Sequence, residues 1–179
     1  MEKNRVGKND ILFAGFFQQN SEVEKAIRAY EDFLYSTAEN LQRAGSPYGF
    51  LTMGSAMAFT PNCYMKAGGI SRKKATEDFY FLQEVVKTTS VITIPEILVH
   101  PSSRVSNRVY LGTGFRMYQA QRGYELTDLK YTDESFTVLK DWLEVGKNSY
   151  KISINGILKK AEKIHSRIES FLIEEEINK

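Results

Sequence analysis

The chain has 179 residues, 42% of them hydrophobic and 26% charged, the balance of an ordinary globular domain rather than a disordered or low-complexity segment. Lys and Arg number 24 against 22 Asp and Glu, for a net charge of +2, so no global field favours nucleic acid or an anionic membrane as partner. No apolar run nears the roughly 20 residues that span a bilayer, Met1 to Asp10 is polar with no signal-peptide core behind it, and the single Cys63 has no internal partner; a chain in a reducing, cytoplasmic compartment fits best.

After a short apolar run from Ile11 to Phe17, Ser21 and Glu24 have the spacing of a capping box and open a helix. Val23, Ile27, Tyr30, Leu34, Ala38 and Leu41 recur at spacings of four and three along one face, and Gly45 with Pro47 supplies the stop near residue 44. Between Ser46 and Phe59, Gly49, Gly54 and Ser55 interrupt short apolar stretches, and Ala56 to Phe59 reads as a buried strand of small residues. Thr60 followed by Pro61 caps a short helix through Met65 that ends at Gly68 and Gly69. Thr76 is in place to cap another, from Glu77 to about Lys87. Val91 to Ile94 and Ile97 to Val99 are β-branched and separated by Pro95, which predicts two strands or one broken strand. Residues 100 to 123 carry four arginines and no convincing period, and read mostly as loop; a helix containing Trp142 follows from Asp133 to about Leu143. Ile157, Ala161, Ile164, Ile168 and Leu172 then mark one amphipathic helix over 152–177, short for a coiled coil but able to form a homodimer seam.

Negative results narrow the chemistry. The sequence has no phosphate-binding loop ending in Gly-Lys-Ser/Thr, no Gly-x-Gly-x-x-Gly after a strand and no paired Cys or His at zinc spacing. His165 flanks the apolar stripe of the last helix and reads as a solvated helix residue, while His100 ends a strand beside Pro101. Two positive features remain. Glu77 and Asp78 fall in a first helical turn, where unpaired amides and the helix dipole favour an ionised carboxylate. Arg104 and Arg108, with interleaved hydroxyls and the Gly112-Thr113-Gly114 turn behind them, have the donors to hold a diphosphate.

The blocks Gly54-Ser-Ala-Met-Ala-Phe59, Tyr64-Met-Lys-Ala-Gly-Gly-Ile70, Glu77-Asp-Phe-Tyr-Phe-Leu82, Pro101-Ser-Ser-Arg-Val-Ser-Asn-Arg108 and Gly112-Thr-Gly114, in that order, resemble the acceptor-side half of an inverting family 2 glycosyltransferase of the GT-A type. Roughly residues 45 to 116 carry the resemblance. It implies a sugar transferred from a nucleotide-sugar donor to an acceptor hydroxyl, with Asp78 as general base and Glu77 orienting the acceptor or the base. Arg104, Arg108, Gly112, Thr113, Gly54 and Ser55 would then line the substrate and diphosphate site. His100 would offset leaving-group charge directly or through a divalent metal, Mg or Mn.

The family's donor-binding half, which ends in Asp-x-Asp, should precede the matching region, yet only about 45 residues do, and the sequence contains no Asp-x-Asp. The expectation is therefore an incomplete α/β fold. A small sheet from residues around 50–59 and 91–99 is flanked by helices at 21–44 and 77–87; residues 1–130 form the acceptor-side portion and 131–179 a C-terminal helical appendage. Such a chain, without its N-terminal half, is inactive alone. The alternative from another class is a noncatalytic helical interaction module using the helices at 21–44 and 152–177; it leaves the Arg104 to Gly114 segment without a purpose.

Overall fold

The computed structural model describes residues 11–13, 23–52, 56–72, 75–94, 98–99 and 102–175. The chain is mostly helical, and it divides into two compact units, Met1–Ala38 with Tyr48–Lys130 and Glu39–Pro47 with Tyr131–Lys179.

The helical face read from the sequence forms α1, Glu24–Arg43, which belongs to the first unit as far as Ala38, with Ile27, Tyr30 and Ala38 buried. Glycine ends it as expected: Gly45 takes φ +78, its N–H donates to the Gln42 carbonyl at 2.9 Å, and the Ser46 N–H reaches back to Leu41 at 3.0 Å. That pairing satisfies carbonyls the last turn would otherwise leave open. Helix α2, Pro61–Lys66, is capped by Thr60, whose side chain accepts from the Cys63 N–H at 3.2 Å. Helix α3 spans Glu77–Val85, and its inner face buries Phe81, Leu82 and Val85.

The expected α/β character is met only coarsely. Three strand segments, β1 (Ile11–Phe13), β2 (Met57–Ala58) and β3 (Val91–Thr93), are no longer than three residues. The two predicted strands are not neighbours. Each pairs with β1, β2 antiparallel through Leu12↔Ala58 and β3 parallel through Leu12↔Ile92. The 56–59 segment is not uniformly buried: Ala56 is, Met57 is half-buried and Ala58 is exposed, so the pleat sends alternate residues to opposite sides. Leu98 and Val99 carry no strand and are exposed; Pro95 and Ile97 lie outside the described residues.

Residues 100–123 are not mostly loop. Gly112–Gln121 form helix α4, whose Met117 is fully buried. Two glycines in its first turn hide the helical pattern, but Met117 and Ala120 sit three apart against the core, and that burial outweighs the poor intrinsic propensity. One core ties the unit together: Ile27 and Tyr30 of α1, Cys63 of α2, Phe81, Leu82 and Val85 of α3, and Met117 of α4. Fully burying a side chain such as Leu82 or Phe81 stabilises by about 1.5–3 kcal/mol.

In the second unit α5, Asp133–Lys147, starts at Thr132, which accepts from the Ser135 N–H. The single helix expected over 152–177 is two: α6, Ile154–Ile164, and α7, Ser166–Glu174. The chain turns extended at His165, φ −167° and ψ 128°, and the imidazole Nδ1 accepts from the Arg167 N–H at 3.1 Å. His165 is therefore exposed, as expected, but caps a helix instead of sitting within one. Ala161 and Leu172 are already buried within one chain. Among the described residues no helix is long and apolar enough to cross a membrane.

Candidate functional site

Asp78 stands in the first turn of α3, one turn before Leu82, which is completely buried. The i, i+4 relation puts the carboxylate at the edge of the helix face that packs on the core. Half-buried, it accepts from the Phe79 N–H through Oδ1 at 2.8 Å. Burial is the largest influence on its proton affinity and pushes the carboxyl above its ordinary range; the Phe79 amide opposes this, and the adjacent Glu77 adds to the rise. The helix start was expected to favour the ionised form, but desolvation outweighs the amides. The result is a carboxylate that takes a proton more readily than one in water.

The turn before it is strained. Thr76 occupies φ +63°, ψ 13°, a region that β-branched residues rarely enter and that costs on the order of 1–3 kcal/mol. Its hydroxyl does not cap the helix as expected, and donates instead to the Ala75 carbonyl at 2.6 Å. In left-handed backbone the side chain points away from the amides it would have to reach.

The arginine segment leads into α4. Arg104 and Arg108 are both exposed, and among the described residues neither guanidinium forms an ion pair. The segment is seated by its backbone: the Ser106 N–H donates to the Gly114 carbonyl at 2.9 Å. A Cβ on Gly114 would fall 2.8 Å from that of Ser106 and 3.4 Å from the Arg104 carbonyl oxygen. The second glycine of Gly-Thr-Gly is thus required by close approach. Gly112 begins α4 at φ +76° with open space beside it, and Thr113 is half-buried. Leu111 gives the helix no side-chain cap. Gly54, Ser55 and His100 lie outside the described residues.

Sequence reasoning missed Arg116 and Tyr30. Tyr30 of α1 is 8% exposed, and burial raises the proton affinity of its hydroxyl; Arg116 opposes this and Asp78 reinforces it. Tyr30 of α1 is thus influenced by both Asp78 of α3 and Arg116 of α4. A three-residue period through Gly114, Met117 and Ala120 was the available signal for Arg116, and reading 100–123 as loop concealed it.

Among the described residues no group of three or more His, Cys, Asp or Glu side chains is placed to hold a metal ion. The described cavities lie elsewhere. One of about 280 Å³ is lined by Ala26 and Ala29 of α1 and by Ala120 and Tyr124. The other, of about 340 Å³, lies between Asp141 and Glu144 of α5 and Lys160 and Lys163 of α6.

No family model, no curated protein and no solved structure matches this chain.

Proposed function

We propose that the chain is the acceptor-side part of an inverting glycosyltransferase of the GT-A type, with Asp78 as the general base. The nucleotide-sugar donor is held largely by an Asp-x-Asp half outside this sequence, and the divalent cation belongs with that half. One observation carries the reading: a half-buried carboxylate, at a strained helix start, with a raised affinity for protons. A base needs that affinity near working pH and an approach for the hydroxyl it deprotonates. The five sequence blocks, all within the span of the first unit, support the reading.

In this reading the acceptor oxygen forms a bond to the anomeric carbon from the face opposite the diphosphate. Its proton passes to the Asp78 carboxylate. The bond from the anomeric carbon to the diphosphate oxygen breaks, and its electron pair leaves with the nucleoside diphosphate. Glu77 holds its neighbour's proton affinity up, and Arg104 and Arg108 meet the growing charge of the leaving group.

The test is sugar transfer by the complete enzyme carrying Asp78→Asn, assayed with radiolabelled nucleotide sugars. General-base catalysis contributes about 10²–10⁴-fold, so kcat falls by that factor while donor binding is unchanged. Turnover within about threefold of wild type removes Asp78 from the role.

A further inference from the structure

One cavity of the first unit, of about 280 Å³, lies wholly outside residues 45 to 116, which carry the glycosyltransferase resemblance. Helix α1 supplies one wall with Lys25, Ala26 and Ala29, and the other begins at Ala120 and Gln121 in the last turn of α4. Gly123, at φ +86°, then turns the chain: its N–H donates to the Ala120 carbonyl at 2.9 Å, and the Tyr124 N–H to the Gln119 carbonyl at 3.2 Å. The turn sets Tyr124 and Glu125 beside α1, and Leu126, 5% exposed, anchors them in the core. Ala26, Ala29 and Ala120 pack against that core from the walls, and their short side chains leave the hollow unfilled.

The chemistry of the walls decides what fits. The Lys25 Nζ meets the Glu125 Oε2 at 3.3 Å and joins the two walls, and the Thr127 hydroxyl donates to the same oxygen at 3.4 Å. Each charge is answered within the rim, so the cavity favours neither an anion nor a cation. The alanines and the Tyr124 ring offer apolar surface, while Gln121, Thr127 and the ion pair offer donors and acceptors together. A purely apolar occupant would strip water from those polar groups and return no hydrogen bond. A volume at the small end of ligand pockets has room for one ring but not for a nucleotide. Those conditions leave a neutral ring with an apolar face and several hydroxyls.

We propose that this cavity binds a single pyranose ring, its C–H face against the Tyr124 ring and its hydroxyls toward Gln121, Thr127 and the Lys25–Glu125 pair. A free sugar and the terminal unit of a glycan share that chemistry. The site goes beyond the transfer reading and does not rest on it, since neither Glu77, Asp78 nor the arginine segment lines it.

The 179-residue chain, carbon-13 labelled at its alanine methyls, is titrated with D-glucose, D-galactose and N-acetyl-D-glucosamine and followed by NMR. Saturable shifts of the Ala26, Ala29 and Ala120 methyls are expected with at least one of the three. Tyr124→Ala, at a residue 62% exposed, removes the stacking face and weakens the affinity by about fivefold or more. Tyr110→Ala, at a tyrosine 83% exposed that does not line the cavity, stays within about twofold of wild type. The methyl glycoside of the bound sugar, blocked at the anomeric oxygen as in a chain, separates the two sources: retained binding assigns the site to a glycan end, lost binding to a free sugar, and either supports the site. No saturable alanine shift with any of the three sugars, equal affinity in Tyr124→Ala, or tighter binding of cyclohexanol or glucose 6-phosphate than of the best sugar overturns the proposal. If Tyr124→Ala does not fold, wild-type affinity in Gln121→Ala overturns it. The two readings fail separately: loss of transfer in Asp78→Asn with no sugar-dependent alanine shift keeps the base and rejects the cavity.

Discussion

A carboxylate that a fold holds half-buried beside a second one is less favourable charged than it is in water, and Asp78 is such a group. The sign of the consequence follows from linkage. Unfolded, the carboxyl has its ordinary proton affinity; folded, that affinity is raised, so the native chain keeps the proton to higher pH. Its contribution to stability is fully present below the ordinary carboxylate range and is lost as pH rises through the raised native value. Asp78→Asn keeps an Oδ1 to accept from the Phe79 N–H and removes the ionisation. The variant should therefore melt above wild type at pH 7, by about 1–3 °C for a chain of this size, with the gap closing by about pH 3. Calorimetry across that range checks it, and a lower melting temperature for the variant at neutral pH would show a carboxylate kept for structure. A residue whose removal stabilises the fold yet abolishes turnover is the trade expected of a functional site.

At the scale of elements, what sequence reasoning could see depended on where the cause of each element lay. The α1 face and its Gly45 stop, the Thr60–Pro61 start of α2 and the Asp133 start of α5 are local causes, each written within a few residues, and the structure has them. Three features have causes that a pattern of residue types does not display. The strand β1 pairs with segments more than forty residues away. The break at His165 depends on an imidazole capping the next helix, a job usually given to Ser, Thr, Asp or Asn. Helix α4 starts on Gly112 at φ +76°, and it takes a second glycine at 114 because Ser106 lies against it. This last cause gives opposite predictions for two helical glycines. Gly114→Ala would gain helix propensity but drive its Cβ into Ser106, and overpacking of that kind costs about 1–3 kcal/mol, leaving a net loss. Gly146 of α5 has nothing within 4 Å of an added Cβ, so Gly146→Ala should stabilise by about 0.5–1 kcal/mol. Urea denaturation of the two variants checks both signs, and a stabilised Gly114→Ala would mean that the segment does not rest on α4.

At the scale of the whole molecule, the candidate site draws on residues far apart in sequence that fold into one unit. Asp78 and Glu77 come from α3, Tyr30 from α1, and Arg104, Arg108 and Arg116 from the approach to α4 and from α4 itself. The sequence showed Asp78 and the two loop arginines through a pattern of residue types. It could not show Tyr30 or Arg116, since only the fold sets the buried Tyr30 phenol where Arg116 and Asp78 act on its proton affinity. That core, from Val23 and Ile27 through Leu82 to Met117 and Leu126, takes all its buried members from the first unit. A chain ending at Lys130 should therefore keep its tertiary structure. The last turn of α1, which belongs to the other unit, should fray once its partners are removed. Near-UV circular dichroism reports the first outcome, because Tyr64, stacked among Phe59 and Phe81, remains while Trp142 is removed. A truncated chain with no tyrosine signal, or one that unfolds without cooperativity, would show that the first unit depends on residues 131–179 for its packing.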